Sequence, residues 1–270
     1  MKKSGNKNFM RTLIILMVAM GLLTLGFMLM QNVRENNDTY ITIDVDSMEL
    51  VQLEEPKENA PIAIVETTLG EIRFVLYPDK SPNAVKNFKD LAESGYYDKT
   101  YFYHSDSGVY SSAGSKEKNG DFIHGNASER IERELSQDLW TFRGAVCCVQ
   151  TDRDRTFIQK ITGGGTYYCG SRLNFINSID FTDELKEQFR ATDTSEELVE
   201  AFIEKGGVPN FAQQMTVIGQ VYQGLDIVEE LASLKTTENG YYKVPDDDIM
   251  IISVKIDSYK KEEKNNNTAF

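Results

Sequence analysis

Apolar and polar positions divide this chain into segments of different period. Thr12–Met30, TLIILMVAMGLLTLGFMLM, is an unbroken apolar run. About 20 such residues cross a bilayer's hydrocarbon core, and no polar face interrupts the run as it would in a surface helix. Lys2, Lys3, Lys7 and Arg11 precede it, whereas Glu35, Asp38, Asp44 and Asp46 follow. The positive-inside bias therefore puts the N-terminus in the cytoplasm and the remainder outside. A cleaved signal peptide is the rival reading, but the stretch is long for one and no small-x-small site closes it. A buried core helix is the third. The reading adopted is a basic cytoplasmic segment over 1–11 and an uncleaved signal-anchor over 12–31, in contact with lipid.

Residues 32–61 read as a polar, acidic stalk ending in EEPKENAP, with the alternation of Ile41, Ile43 and Val45 allowing a short strand. The folded domain begins near Ile62. Residues 62–67 and 70–77 read as two strands with Leu69-Gly70 at the turn. Ser81-Pro82 then opens a helix, with serine as cap and proline in the first turn, and Gly95 stops it. Ala84, Val85, Phe88, Leu91 and Ala92 keep a helical period along it. Residues 100–114 read as a short aromatic strand and a Gly/Ser-rich turn, Phe142–Val149 as a buried strand, and Thr156–Ile161 as a further strand. Asp180–Gly206 is helical, with apolar stripes in FTDELKEQF and SEELVEAFIEKG. Met215–Val221 reads as a strand, Leu225–Leu234 as a helix and Asp248–Ile256 as the closing strand. Residues 258–270 are charged and asparagine-rich and read as a disordered tail. Strands dominate, so the pattern predicts a mainly β fold, a closed barrel capped by helices. Phe74, Leu76, Phe88, Leu91, Val146, Val217 and Ile227 are the expected core.

The formal net charge of the 270 residues is −13. Nucleic-acid binding needs clustered Lys and Arg, so no nucleic-acid partner is implied. Cys147, Cys148 and Cys169 match no zinc or redox spacing. They are read as buried free thiols, with a Cys169 bridge to one of the other two as the alternative. His124 lacks a carboxylate or cysteine at ligand spacing, and Gly163-Gly164-Gly165 lacks the lysine of a phosphate loop. No cofactor and no metal are implied.

Several separated blocks, in order, resemble one family. IVETTLGEIRFVLYPDKSPNAVKNFKDLAESGYYD at 64–98 resembles the opening of a cyclophilin-type peptidyl-prolyl isomerase. Ile131 and Glu134, Phe142-Arg143-Gly144-Ala145-Val146, and GGVPNFAQQMTVIGQVYQGLDIV at 206–228 resemble later blocks of bacterial, Firmicute-like members. The resemblance covers 62–257. It implies a closed eight-stranded antiparallel barrel with capping helices and an inserted helical segment at about 180–205.

The family stabilises a twisted prolyl amide, whose resonance barrier is ~18–20 kcal/mol, with an arginine donor beside an apolar pocket. In the FHRV-type motif, His104 stands in the arginine's place. Val109 stands for a pocket phenylalanine and Ser112 for the peptide-binding glutamine. The NGSQFFI-type strand is matched to Asp154-Arg155-Thr156-Phe157-Ile158, which makes Phe157 either a pocket wall or barrel core. Phe211 replaces a pocket leucine, and Met215 replaces the histidine that often closes the pocket. His104 is either a weaker donor, stronger when protonated, or an incidental polar residue, since imidazole lacks arginine's planar fork. Arg143, Arg155 and Arg172 are candidate substitutes. The resemblance implies a peptidyl-prolyl isomerase, which the apolar run makes membrane-anchored and the missing arginine makes weak, acting on proline-containing segments of secreted or surface proteins. A second reading is a peptide-binding module without turnover. A third is a vestigial groove, with the inserted helices docking a membrane-protein partner.

Overall fold

The computed structural model describes residues 41–120, 130–162, 164–192 and 194–261. The apolar run at Thr12–Met30, His124 and most of the tail lie outside the described residues. Among the described residues no helix is long and apolar enough to cross a membrane. The chain divides into two compact units; the larger comprises Tyr40–Asp152 and Tyr167–Phe270, and the described part of the smaller is Arg153–Thr166.

Eight strands close the barrel. They are β1 (Pro61–Thr67), β2 (Glu71–Leu76), β3 (Thr100–Asp106), β4 (Tyr110–Ser115), β6 (Ala145–Asp154), β7 (Thr166–Ile176), β8 (Thr216–Gln223) and β11 (Met250–Ser258). All lie within the larger unit except Arg153-Asp154 at the end of β6 and Thr166 at the start of β7. Their order is β4-β3-β11-β1-β2-β8-β6-β7, and a β4–β7 pairing closes the ring. The short β5 (Ile131–Glu132) adds to β7 ahead of that closure, and β9 (Thr236–Asn239) and β10 (Tyr242–Pro245) form a separate hairpin. Closure of the ring reduces free sheet edges, the usual solution for an all-antiparallel sheet.

The barrel interior is apolar because alternate strand residues point inward. Phe74, Phe102, Leu173, Phe175 and Ile218 form one cluster with Val85 and Phe88 of helix α1 (Pro82–Glu93). Val228 and Leu231 of helix α5 (Leu225–Ala232) join it. Of the expected core, Phe74, Leu76, Phe88, Val146 and Val217 are buried, whereas Leu91 and Ile227 are half-buried at its margin. All three cysteines are buried and free.

The start of α1 departs from expectation. Ser81 does not cap the helix; its hydroxyl donates to the Val217 carbonyl at 2.8 Å instead. The exposed first-turn amides are met by Glu134, whose carboxylate accepts from Asn83 N at 3.1 Å and Ala84 N at 2.9 Å. A carboxylate at a helix N-terminus also complements the helix dipole.

The segment read as a stalk is packed from Ile43 onward. Ile43, Met48 and Leu50 lie against Trp140, Phe142 and the helical insert, which is α3 (Asp183–Arg190) and α4 (Glu196–Lys205). No strand forms at 41–45. Gln52 is buried and grips the chain at three points. Its amide accepts from Trp140 N at 2.5 Å and donates to Trp140 O at 2.9 Å and Gln220 Oε1 at 2.8 Å. A buried amide so paired avoids a penalty of ~1–3 kcal/mol per unmet group. Gly207 follows α4 at φ 135°, and a Cβ there would meet Thr141 O at 2.4 Å, so only glycine permits this approach.

The smaller unit corrects one element. Phe157–Thr162 is a helix, α2, and not the expected strand. The run TFIQKI places apolar residues at 157, 158 and 161, a spacing that suits one helical face. Within the unit, Arg153 donates to the Gly164 carbonyl, tying the two ends together.

Candidate functional site

The β3–β4 pair is two strands where one strand and a turn are expected; Ser107-Gly108 makes the turn, both at positive φ. The register shifts between Phe102 and His104, so that His104 faces Ser112 across the pair. Ser112 in turn faces Asn174 on β7. Directly opposed residues share a face, so His104, Ser112 and Asn174 form a row across three strands. The Ser112 hydroxyl donates to Asn174 Oδ1 at 2.6 Å, and Asn174 Nδ2 donates to Met215 Sδ at 3.5 Å.

A cavity of about 650 Å³ opens over this row. Tyr110, Met215, Arg172 and the β9–β10 hairpin line it with the row. The hairpin turns at Gly240-Tyr241, with Gly240 at φ 62°, the glycine-led two-residue turn that matches strand twist. It is fastened to β3. Tyr242 sits edge-on to Tyr103 at 5.1 Å and to His104 at 6.0 Å. Lys243 pairs with Asp106 and donates to Ser107 Oγ at 3.1 Å.

His104 is bound at both ring nitrogens. Lys243 N–H donates to Nδ1 at 2.9 Å. A backbone amide only donates, so Nδ1 is unprotonated and the ring is neutral with its proton on Nε2. Nε2 lies 3.1 Å from the Tyr110 hydroxyl oxygen and donates to it. The His104 pKa is held below its ordinary value, chiefly by burial; the Lys243 charge adds to this and Asp106 opposes it. The group favours folding fully above about pH 6.5 and loses that contribution as pH falls through the lower folded value. The stability advantage of wild type over His104→Asn should therefore shrink between pH 7.5 and 5.5 in urea melts. An advantage that grows on acidification would mean that the ring is charged in the fold.

Arg172 reaches the cavity from β7. Its guanidinium lies 4.7 Å from the Tyr103 ring centroid, and Nη2 donates to Gly120 O at 2.7 Å. Burial pushes the Tyr103 phenol up to about 12, with Arg172 pulling the other way.

Comparisons with known proteins agree with this architecture. The family model for cyclophilin type peptidyl-prolyl cis-trans isomerase/CLD matches residues 62–159. A Staphylococcus saprophyticus protein named "Putative peptidyl-prolyl cis-trans isomerase" is 27% identical over 193 residues, covering 72% of this chain and 90% of its own length. A Staphylococcus epidermidis protein of the same name is 26% identical over 206 residues, covering 75% and 95%. A crystal structure of a Cryptosporidium parvum cyclophilin type peptidyl-prolyl cis-trans isomerase superposes with a TM-score of 0.51 at 20% identity, covering 74% of this chain and 99% of that one. The fold is that of a cyclophilin. Family match and named relatives together support a cyclophilin-type peptidyl-prolyl isomerase at the level of family. The same Cryptosporidium protein, crystallised in the presence of the dipeptide Ala-Pro, superposes at 0.50 and 19% identity.

On this cyclophilin fold the expected site residues separate. His104, Ser112 and Met215 line the cavity. Val109 and Phe211 pack beside it in a cluster with Tyr110 and Met215, and the Phe211 ring lies 5.5 Å from Tyr110. Phe157 belongs to the smaller unit, opens α2 and is 79% exposed, so it is neither strand nor core. The strand beside β4 is instead β7, and its Gly170-Ser171 keeps the Gly-Ser start of the expected motif, which puts Arg172 at the glutamine and Leu173 and Asn174 at the two phenylalanines. Arg172 and Asn174 thus enter the site in place of Arg155 and Phe157. Arg143 is engaged by Asn177 and Glu229. Sequence reasoning also misses Tyr103, Tyr110, Tyr242 and Lys243; Gly240-Tyr241 between two short runs is the signal for the hairpin.

Proposed function

We propose that this chain is a membrane-anchored, cyclophilin-like peptidyl-prolyl cis-trans isomerase of weak activity. It acts on proline-containing segments of secreted or surface proteins. One observation carries the reading: a cavity of about 650 Å³ lies over His104, Ser112 and Asn174, on a fold whose relatives are named for prolyl isomerisation. Slow X-Pro isomerisation limits folding of exported chains, which supplies the task. His104 does not replace the family arginine. It is neutral, and both nitrogens are taken. Ser112 is likewise committed to Asn174.

The same two facts favour a second reading, a module that holds prolyl peptides without turning them over. An isomerase assay on the full chain in detergent separates the two. Measurable catalysis that His104→Ala leaves intact supports the first, with another donor at work. Peptide binding with no catalysis supports the second.

The anchor reading is supported by the length of the 12–30 run and the basic residues before it. Fractionation should find the chain in the membrane, and protease applied to intact cells should remove the domain. A soluble mature protein cleaved near Gln31 would contradict the anchor.

A further inference from the structure

The hydrogen-bond chain through His104 ends on an unassigned group. Lys243 N–H donates to Nδ1, which fixes the proton on Nε2, and Nε2–H donates to the Tyr110 oxygen. That oxygen keeps its own proton. Among the described residues, Tyr110 Oη makes no hydrogen bond except that from His104. The ring lines the cavity beside Ser112, Asn174 and Met215, held edge-on against Phe211 at 5.5 Å. Phe211 and the His104 bond thus fix both the ring's plane and its polar end.

We infer that the Tyr110 hydroxyl is the hydrogen-bond donor this cavity presents to a bound peptide amide, and that His104 is the positioning residue that holds it there. The inference rests on the reading of the cavity as a peptide groove given above. Its physical content is a relay of three hydrogen bonds, from the Lys243 amide to the imidazole, from the imidazole to the phenol, and from the phenol to the peptide. An oxygen that accepts a hydrogen bond donates more strongly through its own O–H. Burial also raises the Tyr110 pKa, with Asp106 and Tyr242 adding to the shift, so the phenol keeps its proton at neutral pH. The groups around the relay are Asp106 on β3, Lys243 and Tyr242 on β10, Glu238 on β9 and Arg172 on β7. Asp106 and Lys243 pair with each other, which leaves the relay itself uncharged. A neutral, single-pronged donor binds an amide but stabilises a twisted one less than a guanidinium does. Weak turnover with retained binding follows.

Two competing donors are committed. Ser112 O–H goes to Asn174. Arg172 spends Nη2 on Gly120 O and Nη1 on Tyr242 Oη at 3.3 Å.

Tyr110→Phe removes the hydroxyl and keeps the ring. In the full chain in detergent, titrated with a tetrapeptide holding one Ala-Pro bond, Kd should rise ~3–10-fold, the worth of one neutral hydrogen bond. His104→Ala should raise it by a similar factor and His104→Gln, which keeps a donor, by less. The double variant His104→Ala/Tyr110→Phe should bind no worse than Tyr110→Phe alone, because both act through one hydroxyl. Equal affinity of Tyr110→Phe and wild type would overturn this inference and leave the groove standing. No binding by wild type to any prolyl peptide would overturn the groove reading, and this inference with it. A readout free of ligand is the His104 tautomer in a long-range ¹H–¹⁵N spectrum. The Nε2–H form is expected at pH 7.5, and an Nδ1–H form would overturn the relay whatever the variants do.

Discussion

Phe74→Ala should lower the unfolding free energy by about 3–5 kcal/mol, enough to unfold a marginal domain outright. Phe74 is fully buried at the centre of the barrel cluster. Its ring lies 5.6 Å from Phe88 on α1 and 6.5 Å from Phe175 on β7. It therefore couples a helix to strands on different parts of the ring. Its removal leaves a cavity that closed strands cannot collapse into, because each is pinned by two neighbours. Gly219 shows how tight the site is: a Cβ there would sit 2.6 Å from the Phe74 ring. Urea unfolding with a global probe measures the loss. A cost below about 1 kcal/mol, the range of ordinary surface changes, would mean that the strand register is wrong.

The second large effect concerns turnover. The full chain should isomerise an X-Pro peptide at least ~100-fold more slowly than a relative that keeps the arginine, since one lost transition-state donor costs about that much. The loss should fall on kcat more than on peptide affinity, because the missing interaction strengthens only as the amide twists. His104→Arg should not restore the rate by itself. His104 is buried beneath Tyr242, and a longer side chain there must break the Lys243 contact that fastens the hairpin. Acidification should not raise the rate either. A proton on Nδ1 opposes the Lys243 N–H, so the charged ring gains a donor only by losing its place. A rate that climbs steadily from pH 8 to 5 and vanishes in His104→Ala would contradict this.

The scaffold is plainer in the sequence than the site. Residues 62–98 carry unmixed signals: alternating apolar residues, then Ser81-Pro82, then a helical apolar period, then Gly95. Each agrees with the fold it enters, except that the Ser81 hydroxyl bonds the Val217 carbonyl instead of capping α1. β4 is harder, because after Tyr110 it is made of the small residues Ser-Ser-Ala-Gly-Ser, which a strand uses only when its neighbours bury them. The segment 43–53 looks like a stalk because it is acidic. Its apolar Ile43, Met48 and Leu50 lack any regular period, and they are held by Gln52 through contacts 88 and 168 residues distant. No local pattern announces such a grip.

Of the site, the sequence places His104, Ser112 and Met215 at the cavity and Val109 and Phe211 beside it, although most of these positions carry residues other than the family's. Residues 154–158 do not form the motif's strand: Arg153–Thr166 belongs to a separate unit, and TFIQKI has both strand-like and helix-like spacing. The strand beside β4 lies more than ten residues farther on, which is why Arg172 and Asn174 escape the sequence reading. The role of Tyr110 is set by the β9–β10 hairpin, through a backbone amide that any residue except proline at 243 would supply. Side-chain identity cannot show it.

The most direct test of the central claim is to locate a bound prolyl peptide. The full chain, with its methionine methyl groups labelled and in detergent, is titrated with an Ala-Pro tetrapeptide and observed by NMR. Saturable shifts are expected at Met215, weakened in an Asn174→Ala variant that still folds. Saturable binding that moves other methionines and leaves Met215 still would contradict the claim, as would the absence of any response at millimolar peptide.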